Sequence, residues 1–169
     1  MRTLVLILLV AAAARAAEPP AAGGAAAIAV VKKDGKPALH AILPAGWTAV
    51  DGHDGKTVFR SPTGAPHVEL FPIDVDVAAA AKDPGKLIAD EVTDFTVIAT
   101  DSVVVGEAPA KRVTGTGKEA DDGDPSNAQV VFFTAAGSTW ALCAHGEGDG
   151  VAKAGPTLKA LMDGIAPAQ

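Results

Sequence analysis

Cys143 and His145 stand two residues apart in residues 139–145 (TWALCAH), whose composition reads as a β-strand, so their side chains share one face. A thiol beside an imidazole could serve as a nucleophile with its base, or as half of a metal site. The plainer expectation is a buried thiol at a strand centre, with His145 at the strand end near solvent. His145, Glu147 and Asp149 alternate through HGEGD, which offers three cation ligands on one side of an extended segment. Glycines at 146, 148 and 150 make that segment costly to order, and it reads as a solvated loop. Asp121, Asp122 and Asp124 are the candidate metal ligands, for calcium or manganese. Counted from Asp122, the sixth and twelfth places hold Asn127 and Phe133, where an EF-hand loop needs Gly and Glu. Any site there is therefore an irregular surface one. Asp51, His53 and Asp54 read as turn chemistry, and His40 and His67 are isolated on strands. Ser61, Ser102, Ser126 and Ser138 lie in turns or strands, none in a G-x-S-x-G setting. GTGKEA at 115–120 lacks the spacing of a phosphate loop.

The elements that must position these residues begin with residues 41–62 (AILPAGWTAVDGHDGKTVFRSP). Pro44 ends ladder pairing and Gly46 permits a positive φ, so Trp47 opens a kinked hairpin that returns through Val58 and Phe59. Before it, residues 28–31 and 38–43 read as strands turned at Asp34-Gly35. After it, residues 67–75 (HVELFPIDV) read as a strand, in which Pro72 implies an edge position or a bulge. Asp83-Pro84 is an N-cap pair, and Leu87, Ile88, Val92 and Phe95 recur at helical spacing, which predicts a helix over 84–95. Residues 98–106 and 111–118 read as paired strands, 119–127 (EADDGDPSN) as an acidic loop, and 127–135 with 139–145 as a hairpin. Val130 with Phe132 and Val131 with Phe133 make both faces of one strand apolar, so each face needs a cover. Leu158, Leu161, Met162 and Ile165 give a closing amphipathic helix stopped by Pro167. The sum is an α+β chain, an α/β/α-type layered sandwich with a central antiparallel sheet of about six strands flanked by helices.

The order Leu43-Pro44-x-Gly46-Trp47, Phe59-x-Ser61-Pro62-x-Gly64, Val105-Gly106-x-x-Pro109-Ala110-x-Arg112 and a closing amphipathic helix resembles PsbP-like domains. These include the photosystem II extrinsic P subunit and DcrB-like bacterial envelope proteins. The resemblance covers roughly residues 38–166 and implies a central antiparallel sheet between helices, Trp47 in the core, and action by docking to other proteins.

Met1-Arg2 and the apolar run 3–14, followed by Ala14-Arg15-Ala16, have the form of a signal peptide cleaved after Ala16. The run is too short to span a bilayer, which needs about 20 residues. Residues 17–27, rich in Pro, Gly and Ala, read as a flexible leader, and residues 28–169 as a single PsbP-like domain. Without Arg2 and Arg15 the chain keeps 12 basic against 20 acidic residues, a charge near −8 that disfavours nucleic acid and anionic lipid. One cysteine cannot make an internal disulfide, so packing alone must hold the fold. These features predict a secreted or periplasmic, non-enzymatic binding or accessory protein without a cofactor, whose partner is another envelope protein. The alternative is a divalent-cation-binding protein that uses its acidic loops.

Overall fold

The computed structural model describes residues 26–168. The expected signal peptide and most of the expected leader lie outside the described residues. β1 (Ile28–Lys33) and β2 (Lys36–Ile42) form a hairpin. Asp34 and Gly35 both take left-handed φ values, 52° and 74°, as the tight turn joining twisted strands requires. The chain then leaves this sheet. Gly46 has φ 79°, and a Cβ on it would stand 2.9 Å from Pro62 Cγ, so glycine satisfies both the backbone and the space. β3 (Thr48–Asp51) and β4 (Thr57–Arg60) follow, joined through a 3-10 turn at His53–Gly55. This is the expected hairpin, with Trp47 buried at its base.

β5 (His67–Ile73) pairs with β4 only over Val68–Leu70, so Pro72 lies past the end of β4, where its missing N–H costs no bond on that side. Asp76 caps α1 (Val77–Lys82), its Oδ1 accepting from Ala79 N at 2.8 Å. α2 then spans only Pro84–Leu87, and the helix expected over 84–95 is replaced from Val92 onward by β6 (Val92–Val105). Asp94 has φ 52°, which no right-handed helix tolerates, and Val92, Thr93, Thr96, Val97 and Ile98 are β-branched. Pairing with β7 (Ala108–Glu119) gives this stretch far more hydrogen bonds than one more helical turn would. The apolar spacing was a real burial signal: Leu87, Ile88, Val92 and Phe95 do face one core, from the end of α2, the turn after it and a strand.

β8 (Pro125–Ala135) and β9 (Ser138–Gly146) form the expected hairpin. α3 (Gly150–Lys153), α4 (Gly155–Asp163) and β10 (Ile165–Pro167) complete the described chain. The seven-stranded sheet runs β3-β4-β5-β9-β8-β7-β6, antiparallel throughout, and a separate three-stranded sheet runs β1-β2-β10. On β8 the alternation is as read: Val131 and Phe133 enter one apolar layer, Val130 and Phe132 the other. The first layer is covered by Leu158, Leu161 and Met162 of α4 and by Val31, Leu39 and Ala41 of the small sheet. The second is covered by Ala80 of α1 with Ile88 and Val92. The small sheet thus shares a task expected of the closing helix alone.

Candidate functional site

At one end of the second layer, apolar packing gives way to charge. His67 and Glu69 are on the same phase of β5 as Phe71, so both point under the α2–β6 crossover. The β5–β9 register places His67 opposite His145 and Glu69 opposite Cys143. Lys56, just before β4, comes in from one side, Glu91 from the turn ahead of β6, and Glu119 from the end of β7.

His67 Nε2 lies 3.1 Å from Glu69 Oε1. His145 Nδ1 lies 2.8 Å from Glu119 Oε2, and its Nε2 lies 3.7 Å from Glu91 Oε2. Lys56 Nζ bonds the Glu91 carboxylate and stands 3.3 Å from Glu69 Oε2. It also sits 5.2 Å over the Phe71 ring, a cation–π contact. The two imidazoles are 5.1 Å apart, tilted by 43°. Glu69 Oε2, Glu119 Oε1 and His145 Nε2 are buried without a hydrogen-bond partner. His67 forms the rim, half exposed, while His145 is only 5% exposed.

Titration follows from these contacts. Burial pushes the Glu69 carboxyl upward, but the hydrogen bond of His67 and the charge and bond of Lys56 overcome it and hold it at about 2. The hydrogen bond to Glu69 raises His67 against its own desolvation. Desolvation lowers Lys56, and Glu91 with Glu69 more than restores it, so the ammonium keeps its charge. Burial, followed by the carboxylates of Glu91 and Glu69, drives the Cys143 thiol far above its usual range.

Cys143 is fully buried, as the plainer expectation had it, and its protonated thiol is no nucleophile. His145 is not near solvent as expected. Its ring turns inward because Glu119 and Glu91 supply partners there. That turn also separates it from Glu147, while Asp149 pairs with Lys153 at 2.9 Å, so the HGEGD triplet does not converge. Asp121, Asp122 and Asp124 are exposed, and Asp122 Oδ1 accepts from Asp124 N at 3.0 Å in an Asx turn. No group of three or more His, Cys, Asp or Glu side chains is placed to hold a metal ion among the described residues. In the buried cluster, the cation between the carboxylates is Lys56.

Sequence reading named His145 but missed Lys56, Glu91 and Glu119 as its neighbours, and took His67 as isolated. One signal was present: Glu69 falls in phase with Phe71 and Ile73, a carboxylate on the apolar side of a strand. The partners come from segments between 11 and 89 residues away from one another in the chain, and nothing local pairs them.

No family model matches the chain, and no curated protein matches it. Among solved structures it is similar to LpqN of Mycobacterium tuberculosis, described as involved in cell envelope biogenesis, at 13% identity and a TM-score of 0.53 over 80% of this chain and 88% of that one. It is similar to the cyanobacterial PsbP of Synechocystis sp. PCC 6803 at 11% identity and a TM-score of 0.54, over 89% and 98% of the two chains. A Bacteroides thetaiotaomicron VPI-5482 structure matches at 10% identity and a TM-score of 0.53 over 78% of this chain, which spans only 45% of that protein's length. The pieces that resembled PsbP-like domains in sequence thus sit in matching architecture: this chain has the PsbP-like fold.

Proposed function

We propose that this chain is a secreted or periplasmic, non-enzymatic binding or accessory protein of the cell envelope that docks another envelope protein. The observation that carries the reading is β6, a 14-residue strand at the edge of the large sheet. Its outer edge pairs with no other strand among the described residues, and Val97, Ile98 and Val104 expose 45%, 69% and 56% of their surface. Extended edges of this kind take up a partner strand, with backbone bonds giving affinity and alternate side chains giving specificity. Bulges after Thr93 and Val97 interrupt the strand's first half, which leaves residues 99–105 as the regular segment a partner could pair with. An envelope setting fits the form of residues 1–16 and the likeness to LpqN. No helix among the described residues is long and apolar enough to cross a membrane.

The test is site-specific photocrosslinking. Benzoylphenylalanine at Ile98 or Val104, irradiated in the source organism's envelope fraction, should give one discrete adduct. The same probe at Lys82 on α1 should give none, and Val97→Lys should weaken the adduct. Equal labelling from Lys82 and β6, or a protein retained uncleaved in the cytoplasm, would sink the reading.

A further inference from the structure

The buried cluster joins six ionisable side chains from five separate segments: Lys56 before β4, His67 and Glu69 on β5, Glu91 before β6, Glu119 at the end of β7, and His145 on β9. β8 contributes no titratable group, only Ala128 opposite His145 and the Ser126 hydroxyl, which accepts from Gly146 N at 3.2 Å. On β9 itself, Cys143 is the remaining titratable neighbour, and it stays protonated. Three carboxylates face one ammonium. With both histidines neutral the cluster carries a net charge of −2, and with both protonated it carries none. An uncompensated buried charge is costly.

The geometry of His145 shows which state the packing suits. Its Nδ1 is committed to Glu119, so Nε2 faces the Glu91 carboxylate at 3.7 Å without a hydrogen-bond partner. In a neutral ring that atom would aim a lone pair at a carboxylate. In an imidazolium it presents a proton. One ring away, His67 Nε2 is bonded to Glu69 Oε1 at 3.1 Å, a contact that protonation of the ring strengthens.

We propose that this cluster is a proton-operated clasp: with its two histidines charged it holds residues 88–92 and the Glu119 end of β7 on the sheet, and loss of their protons releases them. Ile88 and Val92 at either end of this segment are buried in the second apolar layer, so release must open that edge of the layer as well. Residues 88–91 form a turn, and its links to the acidic loop include Ala120 N to Glu91 O at 3.0 Å. The sign agrees. A histidine raised by its carboxylate contributes stability that is complete below its unfolded value near 6.5 and lost as pH rises through the folded one.

Cys143 is a built-in reporter, buried beneath the clasp opposite Glu69. Native protein is labelled with 4,4′-dithiodipyridine from pH 5.5 to 8.5, in EDTA, and each rate is divided by that of the urea-unfolded chain at the same pH to remove thiolate chemistry. Each unit of pKa difference between closed and open states is worth about tenfold, so protection should fall about tenfold or more between pH 5.5 and 8.5. His67→Gln, which keeps a hydrogen bond to Glu69 at a half-exposed position, should remove most of that fall, and His145→Gln nearly all of it. Should His145→Gln fail to fold, His67→Gln decides alone. Constant protection across the range in wild type, a fall that persists unchanged in His67→Gln, or protection that differs with and without EDTA would each overturn the clasp.

Discussion

Glu69 carries its charge at the end of an apolar layer that includes Phe71, Val130, Phe132 and Cys143, and only its contacts allow that. Because its folded carboxyl titrates at about 2 against an ordinary 4.5, the stability it contributes is complete above pH 4.5 and lost as pH falls toward 2. Glu69→Gln should therefore flatten the acid limb of a melting-temperature profile. At pH 6 it should cost about 1–3 kcal/mol in urea unfolding, below the figure for a dry ion pair because Lys56 and His67 reach solvent. An unchanged acid limb would mean that another carboxylate governs it. Cys143 makes the opposite case. It is a neutral core side chain, so native protein at pH 7.5 should react with iodoacetamide only at the rate of opening, and Cys143→Ala should cost about 1 kcal/mol. Asp122 serves its own turn, and Asp121→Asn, Asp122→Asn and Asp124→Asn together should leave the melting temperature in millimolar calcium or manganese unchanged from that of wild type.

At the scale of elements, β6 shows tertiary pairing overriding local spacing. Its crossing over β7 depends on Gly115 and Gly117. A Cβ on Gly115 would lie 2.4 Å from Thr96 O and 2.6 Å from the Phe95 ring, and one on Gly117 would lie 2.5 Å from Thr93 O. The close approach lets Phe95 fold over the sheet and brings Glu91 to the cluster. Gly115→Ala should destabilise by about 1–3 kcal/mol, since backbone as well as a ring must shift, and should also raise Cys143 labelling. An effect under about 0.5 kcal/mol would show that β6 yields easily. β8 is the opposite kind of element, apolar on both faces, and Phe132→Ala or Phe133→Ala should each cost about 3–5 kcal/mol, measured by urea unfolding.

At the scale of the whole molecule, the two sheets and four helices of the described residues bury two apolar layers, and no described strand pairs with the far edge of β6. An exposed edge residue contributes little to the fold, so Ile98→Lys should keep stability within about 0.5 kcal/mol while abolishing the crosslinked adduct. A melting temperature that falls with the adduct would assign Ile98 to the fold instead. Docking at β6 and the clasp on the other apolar layer are separable by this pair of variants: Ile98→Lys should leave the pH dependence of Cys143 protection intact.

Much of the architecture was legible in the chain because it is written in short-range chemistry. Asp34-Gly35 fixes a turn, Pro44 and Gly46 break a strand, the double-sided Val130–Phe133 run demands covers on both faces, and Leu158, Leu161 and Met162 mark a helix. Each depends on sterics or periodicity within a few residues. The extent of β6, the separate small sheet and the charged cluster were settled only by tertiary structure. Apolar spacing reports which residues are buried but not whether one long helix or a helical turn, a loop and a strand bury them, as Leu87 to Phe95 demonstrate. Likewise His67 meets His145 only through the β5–β9 register, and Lys56, Glu91 and Glu119 join them from distant segments. A buried charge is tolerated only where its counter-charges converge, and that convergence exists in the folded chain alone.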